Sequence, residues 1–161
     1  MNTPDTPTIT HTASPLQSEP VMTTRATILL VEDDRSVRRY LEVILQRAGY
    51  GVISAADGLE AMKAALSSDV HAVVTDDMMP HLSGHELCRF IRRHPKFSRL
   101  PVVLLSGHDQ TNAAHTATHG GSADAPPDAY LAKPVRPEEL TGCIARLLAC
   151  LDARPPEAAK N

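Results

Sequence analysis

The chain has 161 residues, of which 42% are hydrophobic and 22% are charged, and this fits one domain of ordinary size with short tails. Sixteen basic and nineteen acidic residues give a formal net charge of −3, so no overall positive field is available to hold nucleic acid or anionic lipid. No apolar run approaches the roughly 18 residues that a membrane span needs, and no secretory signal pattern opens the chain. We therefore expect a cytoplasmic protein with neither a nucleic-acid partner nor a membrane partner.

The two ends differ in composition from the middle of the chain. Residues 1–24 are rich in proline and threonine and contain no aromatic residue, which predicts a disordered leader. Pro155 and Pro156 end the last helical pattern and predict a flexible tail over residues 154–161. A single folded domain is therefore expected over residues 25–153.

Within that domain, short β-branched runs alternate with segments of helical periodicity. Strands are predicted, in chain order, at residues 27–31, 52–55, 72–75, 101–105 and 129–132. Five strands that are each followed by a helix-like segment predict a parallel sheet covered on both faces. The segment between the fourth and fifth strands is rich in glycine and proline, so its helix is expected to be short, frayed or replaced by a loop.

The sequence predicts how two helices begin and which residues of four helices are buried. Asp57 caps the second helix, and Arg136 stands where the last helix would normally have a capping side chain, so that helix is expected to begin uncapped at Pro137. The residues expected to be buried are Val37, Leu41, Ile44 and Ala48 in the first helix, Leu59, Met62 and Leu66 in the second, Leu87, Phe90 and Ile91 in the third, and Leu140, Ile144, Leu147, Leu148 and Leu151 in the last.

Polar and charged residues follow the strands where each strand ends. Because ligands of a doubly wound parallel sheet bind beyond the carboxyl ends of its strands, these residues are expected to meet. Clustered carboxylates with room for water suit Mg²⁺, and a carboxylate beside such an ion can accept a phosphoryl group. The residues are Glu32, Asp33 and Asp34, then Asp76 and Asp77, then Ser106 and Gly107, and finally Lys133 before Pro134.

Four stretches together resemble the receiver domains of two-component response regulators. They are ILLVEDDRSVRR (28–39), VVTDDMMPHLSG (73–84), PVVLLSGH (101–108) and DAYLAKPVRPEEL (128–140). The resemblance implies the flavodoxin-like (βα)5 fold of the chemotaxis regulator, with strand order 2-1-3-4-5. The atypical segment after the fourth strand departs from the family pattern.

The resemblance also implies a role for each matching residue. Asp76 matches the phosphoacceptor, and Lys133 matches the lysine that contacts the phosphoryl group, before a proline at a cis-peptide position. Asp34 is expected to serve only as an acid at the start of a helix. The remaining matches are Glu32, Asp33 and the Met78 carbonyl as Mg²⁺ ligands with Asp76, Ser106 as the switch hydroxyl, Gly107 as the small residue beside the phosphoryl site, Gly84 as the turn that opens the third helix, and Tyr130 as the aromatic switch.

Met78 and His108 fall at the two variable positions that tune hydrolysis of the aspartyl phosphate in this family. Met78 offers no polar group to orient an attacking water molecule, so we expect a long-lived phosphoryl group.

The remaining histidines and cysteines carry no clear chemistry. His81 and His85, and also His115 and His119, are four residues apart, but neither pair has an evident third metal ligand, so we expect solvated histidines. The three cysteines form no CxxC pair and are expected to be reduced, packed thiols: Cys88, Cys143 and Cys150.

These features predict a stand-alone response regulator of a phosphorelay. It would accept a phosphoryl group on Asp76 from a sensor histidine kinase or a histidine phosphotransfer protein and would signal by contact with an unknown protein target, without being an enzyme on other substrates. A pseudo-receiver that only binds partners is the alternative. A Mg²⁺-dependent phosphatase with an aspartate nucleophile is a weaker one, because its general acid would stand at the position of Met78.

Overall fold

A computed structural model describes residues 25–107 and 125–153. The strands are β1 (Thr27–Val31), β2 (Gly51–Ala55), β3 (Ala72–Asp76), β4 (Val102–Ser106) and β5 (Ala129–Ala132). The helices of the described part are α1 (Arg35–Arg47), α2 (Gly58–Ser67), α3 (Gly84–Arg93) and α4 (Pro137–Asp152). Five predictions lie outside the described residues. They are the leader over 1–24, the weakened helix between β4 and β5, the hydrolysis-tuning role of His108, the solvated pair His115 and His119, and the tail over 154–161.

All five strands run parallel, in the order β2-β1-β3-β4-β5. This confirms the predicted flavodoxin-like sheet. In β1, Ile28 and Leu30 face α1 and α4, whereas Leu29 and Val31 face α2 and α3. Because both faces are covered, the residues of β1 from Ile28 to Val31 are all apolar rather than alternating with polar ones.

The buried face of α2 differs from the predicted stripe. Leu59 and Leu66 are exposed and Met62 is only partly buried, while Gly58, Ala61 and Ala65 face the core. A Cβ placed on Gly58 would lie 2.3 Å from Leu82 Cδ2 in the loop before α3. The helix lies so close to its neighbours that the face with the smallest side chains turns inward, and the sequence pattern alone does not measure this distance.

Two other helices largely follow the prediction. In α1 the core includes Leu41, Ile44 and also Leu45, which the pattern missed. In α4 the fully buried residues are Leu140, Cys143 and Ile144, and the three later leucines are half-buried. Arg136 makes no capping hydrogen bond, as predicted.

All three cysteines are free thiols, and Cys88 and Cys143 are buried. Burial raises the pKa of the Cys88 thiol to about 11. Cys150 is exposed, so the expectation that all three are packed in the core is wrong for this residue. It lies seven residues after Cys143, on nearly the same face of α4 but two turns further along the axis. The buried residues of α4 end at Ile144, so this part of the helix lies beyond the core.

Candidate phosphoryl and metal site

Three carboxylates meet at the carboxyl edge of the sheet. β1 and β3 are neighbours in register, with Val31 opposite Thr75, so the residues that follow them come together. One carboxylate oxygen from each of Glu32, Asp33 and Asp76 lies within 4.8 Å of the others. Glu32 is 1% exposed and Asp76 is buried, whereas Asp33 faces solvent.

Lys133 reaches this cluster from the opposite end of the sequence. It directly follows β5, and its backbone N–H donates to the Ser106 carbonyl at 2.8 Å. Its ammonium Nζ lies 2.8 Å from Glu32 Oε2 and 2.9 Å from Asp76 Oδ1. The Lys133–Pro134 peptide bond is cis, as the resemblance implied. One cation therefore bridges the two buried carboxylates.

Burial and charge have opposite effects on these groups. Burial raises the pKa of the Glu32 carboxyl, the neighbouring Asp76 raises it further, and the Lys133 ammonium only partly offsets this. The Glu32 and Asp76 carboxylates raise the pKa of Lys133 despite its own desolvation. The site thus stabilises positive charge strongly.

We predict that Lys133→Met lowers the free energy of unfolding at pH 7, without Mg²⁺, by about 3 kcal/mol, because two buried carboxylates lose their shared counter-charge. A carboxyl whose folded-state pKa is raised stabilises the fold below its unfolded pKa and loses this effect as the pH rises. Without the lysine, the pKa of Glu32 rises further. The difference in unfolding free energy between wild type and Lys133→Met should therefore shrink as the pH falls from 7 towards 4.5, the ordinary pKa of glutamate.

Urea denaturation at several pH values measures this effect. The exposed Lys63→Met on α2 removes an equal charge without touching the cluster and should change stability little. A deficit that is equal at pH 7 and pH 5 would contradict the assignment of the charge effect to Glu32.

The donor set fits Mg²⁺. Three hard carboxylate oxygens lie within reach of a single ion, and the exposed Asp33 leaves room for the water ligands that this ion retains. The described residues contain no other group of three or more acidic, histidine or cysteine ligands. Met78 is exposed on the loop after β3, and the ligand role of its carbonyl stays a prediction.

The other predicted site residues with a described position lie on β4 and β5 or directly after β4. Ser106 is buried at the end of β4, where it pairs in register with Ala132 of β5. Among the described residues, no atom lies within 4 Å of a Cβ placed on Gly107. Tyr130 is half-buried on β5. His108 lies outside the described residues.

The loop between β1 and α1 is held by Asp34 and by Arg38 of α1, and the sequence pattern did not single out Arg38. Asp34 caps α1 by accepting hydrogen bonds from the backbone N–H groups of Ser36 and Val37, and these bonds lower its pKa. Arg38 Nη1 donates to the Glu32 carbonyl at 2.6 Å and lies 3.4 Å from the Asp33 carbonyl. Arg38 therefore holds the backbone that carries two of the carboxylates. A basic residue one turn into the helix after an acidic strand end was the available signal.

The loop between β3 and α3 is also held in place by specific contacts. Ser83 and Glu86 form a reciprocal capping box at the start of α3. A Cβ on Gly84 would lie 2.2 Å from the Asp76 carbonyl oxygen and 2.7 Å from Leu104 Cδ1. Only glycine fits where the helix meets the strand that carries Asp76.

His85 is not solvated, contrary to the expectation from the sequence. Its Nδ1 lies 2.7 Å from Asp77 Oδ1, and the two side chains are 12% and 14% exposed. His81 is exposed, with a positive φ of 69°. The spacing of the histidines did not predict the His85–Asp77 contact, because the partner of His85 lies in the loop and not on the helix.

Comparison with known proteins gives a consistent assignment. A model of the response regulator receiver domain family matches residues 28–145. The protein PilG of Pseudomonas aeruginosa is 32% identical over 117 residues, which cover 73% of this chain and 83% of PilG. The response regulator MprA of Mycobacterium bovis is 39% identical over 132 residues, which cover 82% of this chain and 53% of MprA. The chain thus spans about half the length of that relative.

A solved structure extends the comparison to the site. The receiver domain of the sensor histidine kinase PA1611 from Pseudomonas aeruginosa PAO1, crystallised with a magnesium ion coordinated in its active site cleft, is 30% identical. The match covers 77% of this chain and 98% of that one, with a TM-score of 0.67. Within residues 25–107 and 125–153, none of the helices has the length and hydropathy of a membrane span. The chain belongs to the receiver domain family of two-component response regulators.

Proposed function

We propose that this receiver accepts a phosphoryl group on Asp76 from a phosphohistidine of a sensor kinase or a phosphotransfer protein. The single observation that carries the proposal is the buried Asp76 carboxylate, which lies 2.9 Å from the Lys133 ammonium and within one carboxylate cluster with Glu32 and Asp33. A structural ion pair alone does not require three clustered acids at a strand edge.

The chemistry follows from these positions. An Asp76 oxygen attacks phosphorus, the P–N bond of the donor breaks, and its electron pair stays on the imidazole nitrogen. Lys133 neutralises phosphoryl oxygens as they arrive, and Ser106 at the end of β4 offers a hydroxyl to them. Mg²⁺ bound by Glu32, Asp33, Asp76 and the Met78 carbonyl would supply further positive charge to the same oxygens.

The direct test is the intact mass of the protein after incubation with Mg²⁺ and acetyl phosphate. We expect a single phosphoryl adduct, and we expect no adduct when the metal is chelated beforehand. An absent adduct, together with no binding of beryllofluoride, would favour the pseudo-receiver. Phosphate released from acetyl phosphate without any adduct on the protein would favour the phosphatase.

An apolar cleft beside the site provides a contact surface for the protein donor. The cleft has a volume of about 430 Å³, and the phosphoryl-site residues Gly107 and Lys133 form part of its wall. Its apolar lining comes from α1 and from the segment after β5: Val37, Tyr40, Leu41, Pro134 and Val135. Lys133 belongs both to this cleft and to the Asp76 site, so a protein that brings a phosphohistidine to Asp76 comes close to the cleft. We propose that the cleft binds an apolar helix surface of the donor.

We predict that Tyr40→Glu slows phosphotransfer from a phosphohistidine protein by about tenfold, equal to roughly 1.4 kcal/mol, since an aromatic anchor is lost and a charge is introduced. Phosphorylation by acetyl phosphate should continue at the wild-type rate. Purified histidine kinases that phosphorylate wild type, assayed with radiolabelled ATP, serve as donors.

The matched control is Leu66→Glu. Leu66 is 53% exposed and Tyr40 is 50% exposed, but Leu66 lies on α2, on the other side of the sheet. An equal loss in both variants would show that the cleft makes no specific contact.

Met78 carries a prediction about the lifetime of the phosphoryl group. Its exposed thioether follows the acceptor by two residues and orients water poorly. We expect slow hydrolysis in wild type and hydrolysis about tenfold faster in Met78→Asn, whose amide can position the attacking water. Met78→Leu should keep the wild-type rate. Decay of the adduct mass with time measures all three rates, and fast decay in wild type would contradict the prediction.

The output is proposed to be protein contact. Ser106 and Tyr130 would respond to the phosphoryl group and change the surface around β4 and β5 between two states. The alignment with PilG covers 83% of that protein, so the matched region makes up most of this relative. This supports an output through protein contact.

A further inference from the structure

Asp77 and His85 form a nearly buried pair that the phosphotransfer chemistry does not use. Their contacting atoms are 2.7 Å apart. Side chains alternate along a strand, so the carboxylate of Asp76 points to Lys133 and that of Asp77 points to the opposite face, where α3 lies. The pair therefore stands beside the acceptor but outside the carboxylate cluster.

The backbone of Asp77 is fixed on both sides. Its N–H donates to the Leu105 carbonyl of β4 at 2.9 Å, and its own carbonyl accepts from the Gly84 N–H at 3.1 Å. Hydrogen bonds therefore connect the end of β3 with β4 and α3 through Asp77, and the 2.7 Å contact extends this connection to the His85 ring.

The His85 ring in turn lies against Tyr130. The two ring centroids are 6.2 Å apart and the planes are tilted by 41°, which is within the range of favourable aromatic pairs. Burial raises the pKa of the Tyr130 hydroxyl, and the nearby Cys88 and Asp77 add to this effect. Tyr130 thus lies near Asp77, the residue next to the acceptor.

We propose that His85 is a positioning residue for the Tyr130 ring and that Asp77 ties it to the acceptor strand, so that a change at Asp76 reaches Tyr130 through this pair. The proposal deepens the proposed function and rests on it. It adds a second connection to the one through Ser106.

The test observes Tyr130 by NMR in protein with ring-¹³C-labelled tyrosine. The chain has three tyrosines, and Tyr→Phe variants assign them. With Mg²⁺ and beryllofluoride, the Tyr130 signals of wild type should shift. In His85→Leu and Asp77→Ala this shift should fall below half of the wild-type value, whereas Asp77→Asn should keep it, because an amide oxygen still accepts a hydrogen bond from His85. His94→Leu, at the far end of α3 and stacked on Phe97, is the control and should behave as wild type.

Intact mass with acetyl phosphate is measured in parallel and should show the same adduct in wild type and in these four variants. An unchanged Tyr130 shift in both His85→Leu and Asp77→Ala overturns the inference, as does a wild type that is phosphorylated without any Tyr130 shift. Absence of the adduct in wild type overturns the proposed function instead. The buried Tyr50 reports folding. If His85→Leu unfolds, the comparison of Asp77→Ala with Asp77→Asn decides.

Discussion

Asp76→Asn should remove the phosphoryl adduct completely, whereas Asp77→Asn, one residue away, should retain it at the wild-type level. The two aspartates differ in what their side chains contact: Asp76 meets Lys133, and Asp77 meets His85 on the other face of the sheet. An amide at position 76 is a poor nucleophile and also removes one carboxylate of the proposed metal site. Intact mass after incubation with acetyl phosphate and Mg²⁺ measures both variants.

Unfolding would not explain the expected loss of the adduct, because Asp76→Asn should remain folded. Asp76→Asn removes one of three clustered negative charges and leaves Lys133 paired with Glu32, so the variant should unfold at a urea concentration no lower than wild type. An adduct of wild-type size on Asp76→Asn, or loss of the adduct in Asp77→Asn alone, would transfer the acceptor role away from Asp76.

Gly84→Ala should destabilise the fold by about 3 kcal/mol, at the upper end of what overpacking costs. The added methyl group would meet the Asp76 carbonyl oxygen at 2.2 Å and Leu104 Cδ1 at 2.7 Å. The first obstacle is backbone, which cannot rotate away, so α3 must move off the end of β3. Because that end carries Asp76, the proposed acceptor, the rate of phosphorylation should fall together with the stability.

The matched control is Gly142→Ala in α4. A Cβ there meets nothing within 4 Å, and the position lies inside a helix. Alanine should therefore stabilise the protein by about 0.5–1 kcal/mol, because glycine loses more backbone entropy on folding. Urea denaturation measures both variants. If Gly84→Ala and Gly142→Ala change the unfolding free energy in the same direction, the close contact at Gly84 does not determine the effect.

The sheet and the central site were predictable because each rests on a local rule. Alternating strand and helix patterns predict a parallel sheet, and parallel strands bring their carboxyl ends to one edge. Asp76 and Lys133 could therefore be placed together from sequence. Asp76 ends β3 and Lys133 follows β5, and the two positions are 57 residues apart. Their roles remain to be tested by the experiments above.

The contacts that the sequence did not reveal depend on distances between elements. The leucine face and the alanine face of α2 are both apolar, and the close approach of Leu82 to Gly58 favours burial of the alanine face. The partner of His85 is in a loop, where no regular period relates the two positions. Arg38 acts on backbone carbonyls, which every residue has and which no sequence motif marks.

The Lys133–Glu32 contact also bears on the order in which the site is assembled. The two residues are 101 positions apart, and the lysine follows the last strand, at the edge of the sheet. During synthesis all three acids leave the ribosome before their counter-charge, and contacts of such long sequence separation form late because the intervening chain must first be ordered. A chain that stops after β4 would contain every acid of the site without its cation. The proposed function therefore predicts that the chain becomes competent for phosphorylation only when β5 docks, so that phosphorylation would report completed folding.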